Sequence, residues 1–97
     1  MAVNFKIKTS HVGDELHINL AGDFDGSSAC ELLNNLEDNS GNISRIFIDT
    51  TGLKNVHPFG QVIFENQLPS AGRFDGKIML VGKYAKKIAP AYIGDHL

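Results

Sequence analysis

Two short apolar runs, joined by a segment of helical pattern, constrain this chain more than any other feature. Ile46–Ile48 and Ile78–Val81 are unbroken hydrophobic stretches of strand length. Continuous apolar runs are typical of strands that are covered on both faces, as in parallel sheets. The chain is therefore predicted to form a strand–helix–strand crossover in which the two strands are parallel and adjacent.

Two further strands are predicted near the start of the chain. Phe5–Thr9 and Leu16–Leu20 each alternate apolar and polar residues, which is typical of half-buried strands. The polar segment His11–Asp14 separates them and favours a turn, so the two strands are expected to pair antiparallel. Gly22–Gly26 then carries turn-forming residues and is predicted to end the second strand.

Helices are predicted after the second, third and fourth strands. The first is expected to begin near Ser28, because Ser28 and Glu31 have the spacing of a capping box. The last is a short helix over Tyr84–Ala89 that is stopped by Pro90. The element order is therefore β-β-α-β-α-β-α, which indicates an α/β fold in a single domain over residues 1–97.

Composition argues against several classes of function. The net charge of the 97 residues is −2, so the chain lacks the clustered basic face of a nucleic-acid binder. Lys83, Lys86 and Lys87 are expected to form only the solvated side of the last helix. No apolar run approaches the roughly 20 residues of an integral membrane segment. The single cysteine, Cys30, is expected to be buried and fits a reducing cytoplasm.

Catalytic, metal and cofactor sites are not predicted. His11, His17, His57 and His96 lack metal-ligand spacing with one another or with Cys30. The sequence has no glycine-rich phosphate loop of the Gly-x-x-x-x-Gly-Lys type. His57 has no nucleophile and orienting partner beside it in the sequence, so catalysis is not expected.

The element order and two motifs resemble the STAS domain, the family named for sulfate transporters and anti-sigma factor antagonists. Leu20–Asp25 is similar to the family's Gly-Glu-Leu-Asp turn, and Arg45–Asp49 is similar to the strand before its Asp-Ser-Ser-Gly-Leu motif. The resemblance covers the chain from Leu16 to about Ile88. It implies a mixed sheet of four to five strands flanked by helices, and a bacterial protein-docking module that is not an enzyme.

The family's phosphorylatable serine lies at the start of the second helix, and this sequence offers two placements of that motif. In the first, Asp49–Leu53 is the motif, and Thr50 or Thr51 is the phosphoacceptor. Pro58 then falls inside the helix at a cost of roughly 3 kcal/mol. In the second, His57–Gly60 is the motif, and Pro58 takes the first helical position, where its fixed φ is favourable. We predict the second placement.

The second placement also predicts the surrounding structure. Asp49–Val56 becomes a connecting turn before the helix. Pro69 is expected to stop or kink the helix near Leu68, with a loop over Ser70–Gly76. The buried face of the helix is predicted to comprise Phe59, Val62, Ile63 and Phe64.

In this placement the phosphorylation site is lost. His57 stands where the family has an acidic residue, and Pro58 and Phe59 stand where it has serines. Neither proline nor phenylalanine has a hydroxyl group that could take phosphate. By the resemblance, a protein partner would bind the loop at 23–27 and the helix start at 57–61. The implied partner-binding residues are Asp23, Asp25, Ser27, His57, Pro58, Phe59, Gly60 and Gln61.

Several alternatives stay open from the sequence. Pro58 and Phe59 can be a helix start and core anchor without a role in binding, and Asp23 and Asp25 can be turn formers or helix caps. A STAS domain can also be a component of a membrane transport system, or can bind a small ligand such as a nucleotide or lipid. The partner is accordingly an anti-sigma factor or kinase-like protein, or a transporter component. An exposed apolar patch would also allow a homodimer.

Overall fold

The computed structural model describes residues 4–39, 41, 43–71 and 77–88. The predictions made for residues 72–76, for Pro90 and for His96 lie outside the described residues. The helices and strands follow the predicted order and confirm the α/β fold. They are β1 (Lys6–Val12), β2 (Glu15–Phe24), α1 (Gly26–Asp38), β3 (Arg45–Val56), α2 (Pro58–Ala71), β4 (Ile78–Val81) and α3 (Ala85–Ile88).

The four strands form one sheet in the order β1-β2-β3-β4. β1 and β2 are an antiparallel hairpin, and their turn places Gly13 at φ 64°, a left-handed conformation that glycine adopts without strain. β3 runs parallel to β2 on one side and to β4 on the other. The antiparallel pair and the predicted crossover from β3 to β4 are therefore confirmed, and β2 and β3 are joined by a second crossover of the same kind.

One face of the sheet carries the hydrophobic core. Alternate side chains of the two central strands are fully buried there, among them Leu16, Ile18, Ile46 and Ile48. Burial of one such side chain contributes about 1.5–3 kcal/mol, so this face holds the helices firmly against the strands. The helices contribute Ala29, Leu32, Leu36, Phe64, Ala85 and Ile88 to the same core.

On the opposite face of the sheet, the prediction that the Ile46–Ile48 strand is covered on both sides is wrong. Phe47 is only half-buried, and its ring stacks on that of His17 with 5.0 Å between centroids. His17 lies on a central strand and is half-buried, with Nε2 3.2 Å from Glu15 Oε1. Part of the cover expected from a second layer is therefore supplied by the stacked neighbouring ring.

Both central strands extend beyond their predicted ends. The prediction that Asp49–Val56 is a connecting turn is wrong, because β3 continues to Val56, and β2 likewise runs through Gly22 to Phe24. The two strands stay paired to these ends by means of two register shifts. Such irregularities accommodate extra residues in a ladder. Polar residues that look like a turn in the sequence therefore remain in the sheet.

The start of α2 is confirmed, whereas its predicted end is wrong. The helix begins at Pro58, where the missing amide leaves no helical hydrogen bond unmade. It does not stop near Leu68 but continues through Pro69 to Ala71. A proline this close to the end of a helix removes little of its hydrogen bonding, and the restriction on the preceding residue is a preference that the helix overrides.

Candidate functional site

The candidate site forms where β2 and β3 end side by side. Phe24 pairs with Val56, and these are the last residues of the two parallel strands. The amide of His57 then donates a hydrogen bond to the carbonyl oxygen of Phe24 at 2.8 Å. Because α1 and α2 begin directly after these strand ends, the loop at 23–27 lies next to the helix start at 57–61. We call these two segments together the loop–helix surface.

Asp25 caps α1 and replaces the predicted cap at Ser28. Its Oδ1 accepts hydrogen bonds from the amide of Ser28 at 2.9 Å and from Ser27 Oγ at 2.8 Å. These bonds, that of the Ser28 amide foremost, lower the pKa of Asp25 from 3.8 to about 2. The helix therefore begins at Gly26 with an ionised carboxylate beside its N-terminus, where negative charge is favourable.

Asp23 has a structural partner on the neighbouring strand. Asn55 Nδ2 donates a hydrogen bond to Asp23 Oδ1 at 2.9 Å, and Asp23 itself lies within β2. Its backbone carbonyl oxygen also lies 2.9 Å from Ser28 Oγ, which is buried beneath it. Asp23 therefore ties the end of β2 both to β3 and to the first turn of α1.

Two glycines allow the helix starts to pack in direct contact. A Cβ placed on Gly60 would lie 2.6 Å from the carbonyl oxygen of Asp25, which is closer than real Cβ atoms approach other atoms. A Cβ placed on Gly26 would lie 2.8 Å from Cδ2 of Phe59. The side chain of Phe59 therefore rests directly on the backbone at the start of α1.

Phe59 and Val62 form an exposed apolar ridge on α2. The prediction that they belong to the buried face of the helix is therefore wrong. Phe59 is 68% exposed and Val62 is 49% exposed, whereas Phe64 is buried and Ile63 is half-buried. Gly60 lies four residues before Phe64, hence on the same side of the helix, and it occupies the inward position against α1. Clustered exposed apolar side chains mark interaction sites more often than scattered ones do.

A groove runs between the two helix starts, and we call it the α1–α2 groove. The predicted partner-binding residues that line it are Asp25, Ser27, His57 and Phe59. Those that lie outside its lining are Asp23, Pro58, Gly60 and Gln61. Gly26 also lines the groove and lies within the predicted loop at 23–27, whereas Cys30 and Ile63 are lining residues that the sequence analysis missed. Helical spacing is a signal that could have found them, because Cys30 follows Gly26, and Ile63 follows Phe59, by one helical turn.

Cys30 is exposed, contrary to the prediction that it is buried. Its neighbour Ala29 is the residue that enters the core, together with Leu32 and Leu36 further along α1. Cys30 therefore points away from the sheet and forms part of the wall of the α1–α2 groove, where it acts as a small apolar side chain.

Thr50, the acceptor in the alternative motif placement, is fully buried. Its Oγ1 donates a hydrogen bond to the carbonyl oxygen of Val81 at 2.8 Å and accepts one from the amide of Tyr84 at 3.1 Å. Thr51 is exposed, and its amide donates to Asp49 Oδ1 at 2.9 Å. Thr50 therefore ties β3 to the turn after β4, and a phosphate on its oxygen would disrupt both hydrogen bonds.

Other chemistry is sparse in the part of the chain that the structure describes. No group of three or more His, Cys, Asp or Glu side chains there could hold a metal ion. None of the helices formed by these residues is both long and apolar enough to cross a membrane. Lys83, Lys86 and Lys87 are exposed, as predicted.

Comparison with known proteins concerns the fold. No protein-family model and no curated protein matches the sequence. Among solved structures, the anti-sigma factor antagonist SpoIIAA in its unphosphorylated form matches with a TM-score of 0.62 at 13% identity, over 96% of this chain and 89% of that one. The chain has a SpoIIAA-like fold. The STAS-like architecture that the two motifs imply is thereby confirmed.

Two further structures share this SpoIIAA-like fold in whole or in part. An uncharacterized protein of the DUF3478 family from Shewanella loihica PV-4 matches with a TM-score of 0.57 at 16% identity, over 86% of this chain and 72% of that one. The crystal structure of Mglu matches with a TM-score of 0.68 at 13% identity, over 78% of this chain. This chain spans only 19% of Mglu, so the likeness concerns a small part of that longer protein.

Proposed function

We propose that this protein is a non-catalytic regulatory module that binds a protein partner through the loop–helix surface. The supporting observation is the exposed ring of Phe59, which rests on Gly26 and is continued by Val62. An aromatic side chain that is already held in place is an efficient anchor, because little conformational entropy is lost when a partner covers it. The SpoIIAA-like fold supports the proposal, since SpoIIAA is an anti-sigma factor antagonist.

The surroundings of the ridge fit an interface with an apolar centre and a polar rim. Phe59 and Val62 are the centre, while Ser27 and His57 are exposed polar residues beside them. The carboxylate of Asp25 is oriented by its hydrogen bonds to the first turn of α1 before any partner arrives. Protein interfaces commonly combine a buried apolar core with such a polar border.

We further propose that phosphorylation at the helix start does not control this binding. His57, Pro58, Phe59 and Gly60 have no hydroxyl group, whereas the STAS motif carries serines there. Of the two alternative acceptors, Thr50 has its oxygen engaged in two buried hydrogen bonds, whereas Thr51 is exposed. Incubation of the chain with protein kinases from its own cells, followed by mass spectrometry, tests this proposal. Phosphate at Thr50 or Thr51 would contradict it, and both residues are expected to stay unmodified.

The other hypotheses from the sequence stay predictions. These are a role in a membrane transport system, a bound nucleotide or lipid, a homodimer and a cytoplasmic location. No contact at the loop–helix surface favours one of them over binding of a separate protein.

Two matched variants test the proposed surface. Phe59→Asp places a charge on the ridge, and Val12→Asp places the same charge on an apolar residue of β1 that is 59% exposed. A partner co-purified from the native cells is isolated and titrated calorimetrically with each variant. We expect Phe59→Asp to weaken binding at least about tenfold and Val12→Asp to change it less than about twofold. Equal affinities for the two variants would contradict the proposed surface.

A further inference from the structure

Lysine and arginine are absent from the two helices that form the α1–α2 groove. From Thr9 to Ser44, and again from Asn55 to Gly72, the sequence contains neither Lys nor Arg, so α1 and α2 carry none. Carboxylates are nevertheless frequent in the loop and the two helices, so these segments carry a net negative charge at neutral pH. The carboxylates are Asp23, Asp25, Glu31, Glu37, Asp38 and Glu65.

Two of these carboxylates lie one helical turn after exposed residues at the starts of α1 and α2. Glu31 lies one helical turn after Ser27 on α1 and is exposed, and Glu65 lies one turn after Val62 on α2 and is half-buried. Within the described part of the chain, neither glutamate forms an ion pair with a lysine or arginine. Both helices therefore carry exposed or half-buried glutamates and no lysine or arginine of their own.

We infer that the partner at this surface is a basic amphipathic segment, which presents apolar side chains to Phe59 and Val62 and Lys or Arg side chains to Glu31 and Glu65. The inference rests on the proposed function, since it names the chemistry of the partner at the same surface. Apolar contact at the centre provides most of the affinity, and opposite charges at the rim set register and association rate. An acidic partner would face like charge at both helices.

A second copy of the chain is the competing occupant. Lys54, Lys83, Lys86 and Lys87 are exposed, and Val81, directly before that last group, is 37% exposed. If these residues entered the α1–α2 groove of another copy, two different surfaces would meet. Such heterologous contacts propagate into rings or open filaments. A separate basic partner would instead form a complex of fixed size, and self-association is therefore the alternative outcome of the test.

Two synthetic amphipathic helical peptides of equal length test the inference on the full chain. One is built from Lys and Leu, and the other from Glu and Leu. The Lys peptide is expected to shift the amide NMR signals of residues 25–31 and 59–65, and the Glu peptide is not. Raising NaCl from about 0.05 M to about 0.5 M is expected to weaken the binding of the Lys peptide about tenfold.

Charge-reversal variants locate the effect. Glu31→Lys combined with Glu65→Lys is expected to weaken the binding of the Lys peptide about tenfold, because both rim charges become repulsive. Asp14→Lys makes the same kind of change at an exposed turn residue outside the groove and is expected to change binding less than about twofold. Thermal unfolding of each variant verifies that it is folded.

The possible outcomes distinguish an error in the inferred charge of the partner from an error in the location of its binding surface. Equal binding of both peptides at the groove, or binding that salt does not weaken, would overturn the basic-partner inference and leave the loop–helix surface intact. Shifts that map outside the groove and survive Phe59→Asp would contradict both. Salt-sensitive self-association in sedimentation, abolished by Phe59→Asp and without peptide binding, would assign the groove to a second copy and overturn the inference.

Discussion

The ring of Phe59 lies so close to the backbone of Gly26 that a Cβ at residue 26 would approach ring Cδ2 to 2.8 Å. A side chain that is 68% exposed thereby has a fixed support on the neighbouring helix. α2 begins at Pro58, and α1 begins beside it with Asp25 as its N-cap. The shape of the loop–helix surface thus depends on the way in which two adjacent helices begin.

Gly26→Ala is expected to displace the Phe59 ring without unfolding the protein. The ring is the outer end of an exposed side chain and can rotate away, so the free energy of unfolding should change by less than about 1 kcal/mol. Nuclear Overhauser contacts between the Phe59 ring and the α-proton of residue 26 should be lost, and partner binding should weaken. An unchanged ring position in the variant would show that Gly26 does not orient Phe59.

Gly60→Ala is expected to destabilise the fold, because the clash there involves backbone rather than a movable side chain. The new Cβ would lie 2.6 Å from the Asp25 carbonyl oxygen, so α1 and α2 must separate. A loss of about 1–3 kcal/mol in the free energy of unfolding is expected from urea titration. Gly41→Ala is the matched control, since a Cβ at Gly41 meets open space. Similar losses in both variants would contradict the proposed contact.

The Asp25 cap predicts a specific pH dependence. Its pKa is lowered from 3.8 to about 2 in the folded chain, so the carboxylate stabilises the fold above pH 3.8, and this stabilisation is lost as the pH falls towards 2. Asp25→Ala should cost about 1 kcal/mol at neutral pH. Asp25→Asn should keep most of the cap but remove the pH dependence.

Urea titrations of the wild type and of Asp25→Asn at a series of pH values check this prediction. The difference in unfolding free energy between them should be constant near neutral pH and should shrink through the window between the two pKa values. A difference that stays constant down to the lower pKa would show that the carboxylate gains nothing from its negative charge in the folded state.

Thr50→Val is expected to destabilise the protein more than Thr51→Val does. Valine has nearly the shape of threonine, but at position 50 it leaves the Val81 carbonyl and the Tyr84 amide without their buried partner. The expected loss is about 1–3 kcal/mol. Thr51 is exposed, so its substitution should change stability by less than about 0.5 kcal/mol. Equal effects in the two variants would contradict a structural role for the Thr50 hydroxyl.

The sequence predicts the order of the elements and the start of α2 because both depend on local rules. Hydrophobic periodicity distinguishes strand from helix, and the position of Pro58 fits only one end of a helix. The ends of β2 and β3 could not be predicted in this way. They depend on a pairing between strands that are distant in the chain, which keeps Asp49–Val56 extended despite its turn-like composition.

The two segments of the loop–helix surface were named from the sequence, but the way in which they pack was not predicted. The loop at 23–27 and the helix start at 57–61 meet because parallel strands end at the same sheet edge. The sequence pattern assigned Phe59 to the buried face of α2, whereas Gly60 takes the inward position in the structure. Apolar periodicity is read from the positions of hydrophobic side chains. It therefore does not detect a helix face on which a glycine allows two backbones to touch.

An amide NMR footprint of the purified partner on the isotope-labelled chain tests directly whether the loop–helix surface binds it. We expect the signals lost or shifted on binding to cluster in residues 23–31 and 57–63. Phe59→Asp should abolish these changes, whereas Val12→Asp should leave them in place. A footprint on β1 or on the sheet face around Phe47, unaffected by Phe59→Asp, would contradict binding at the loop–helix surface.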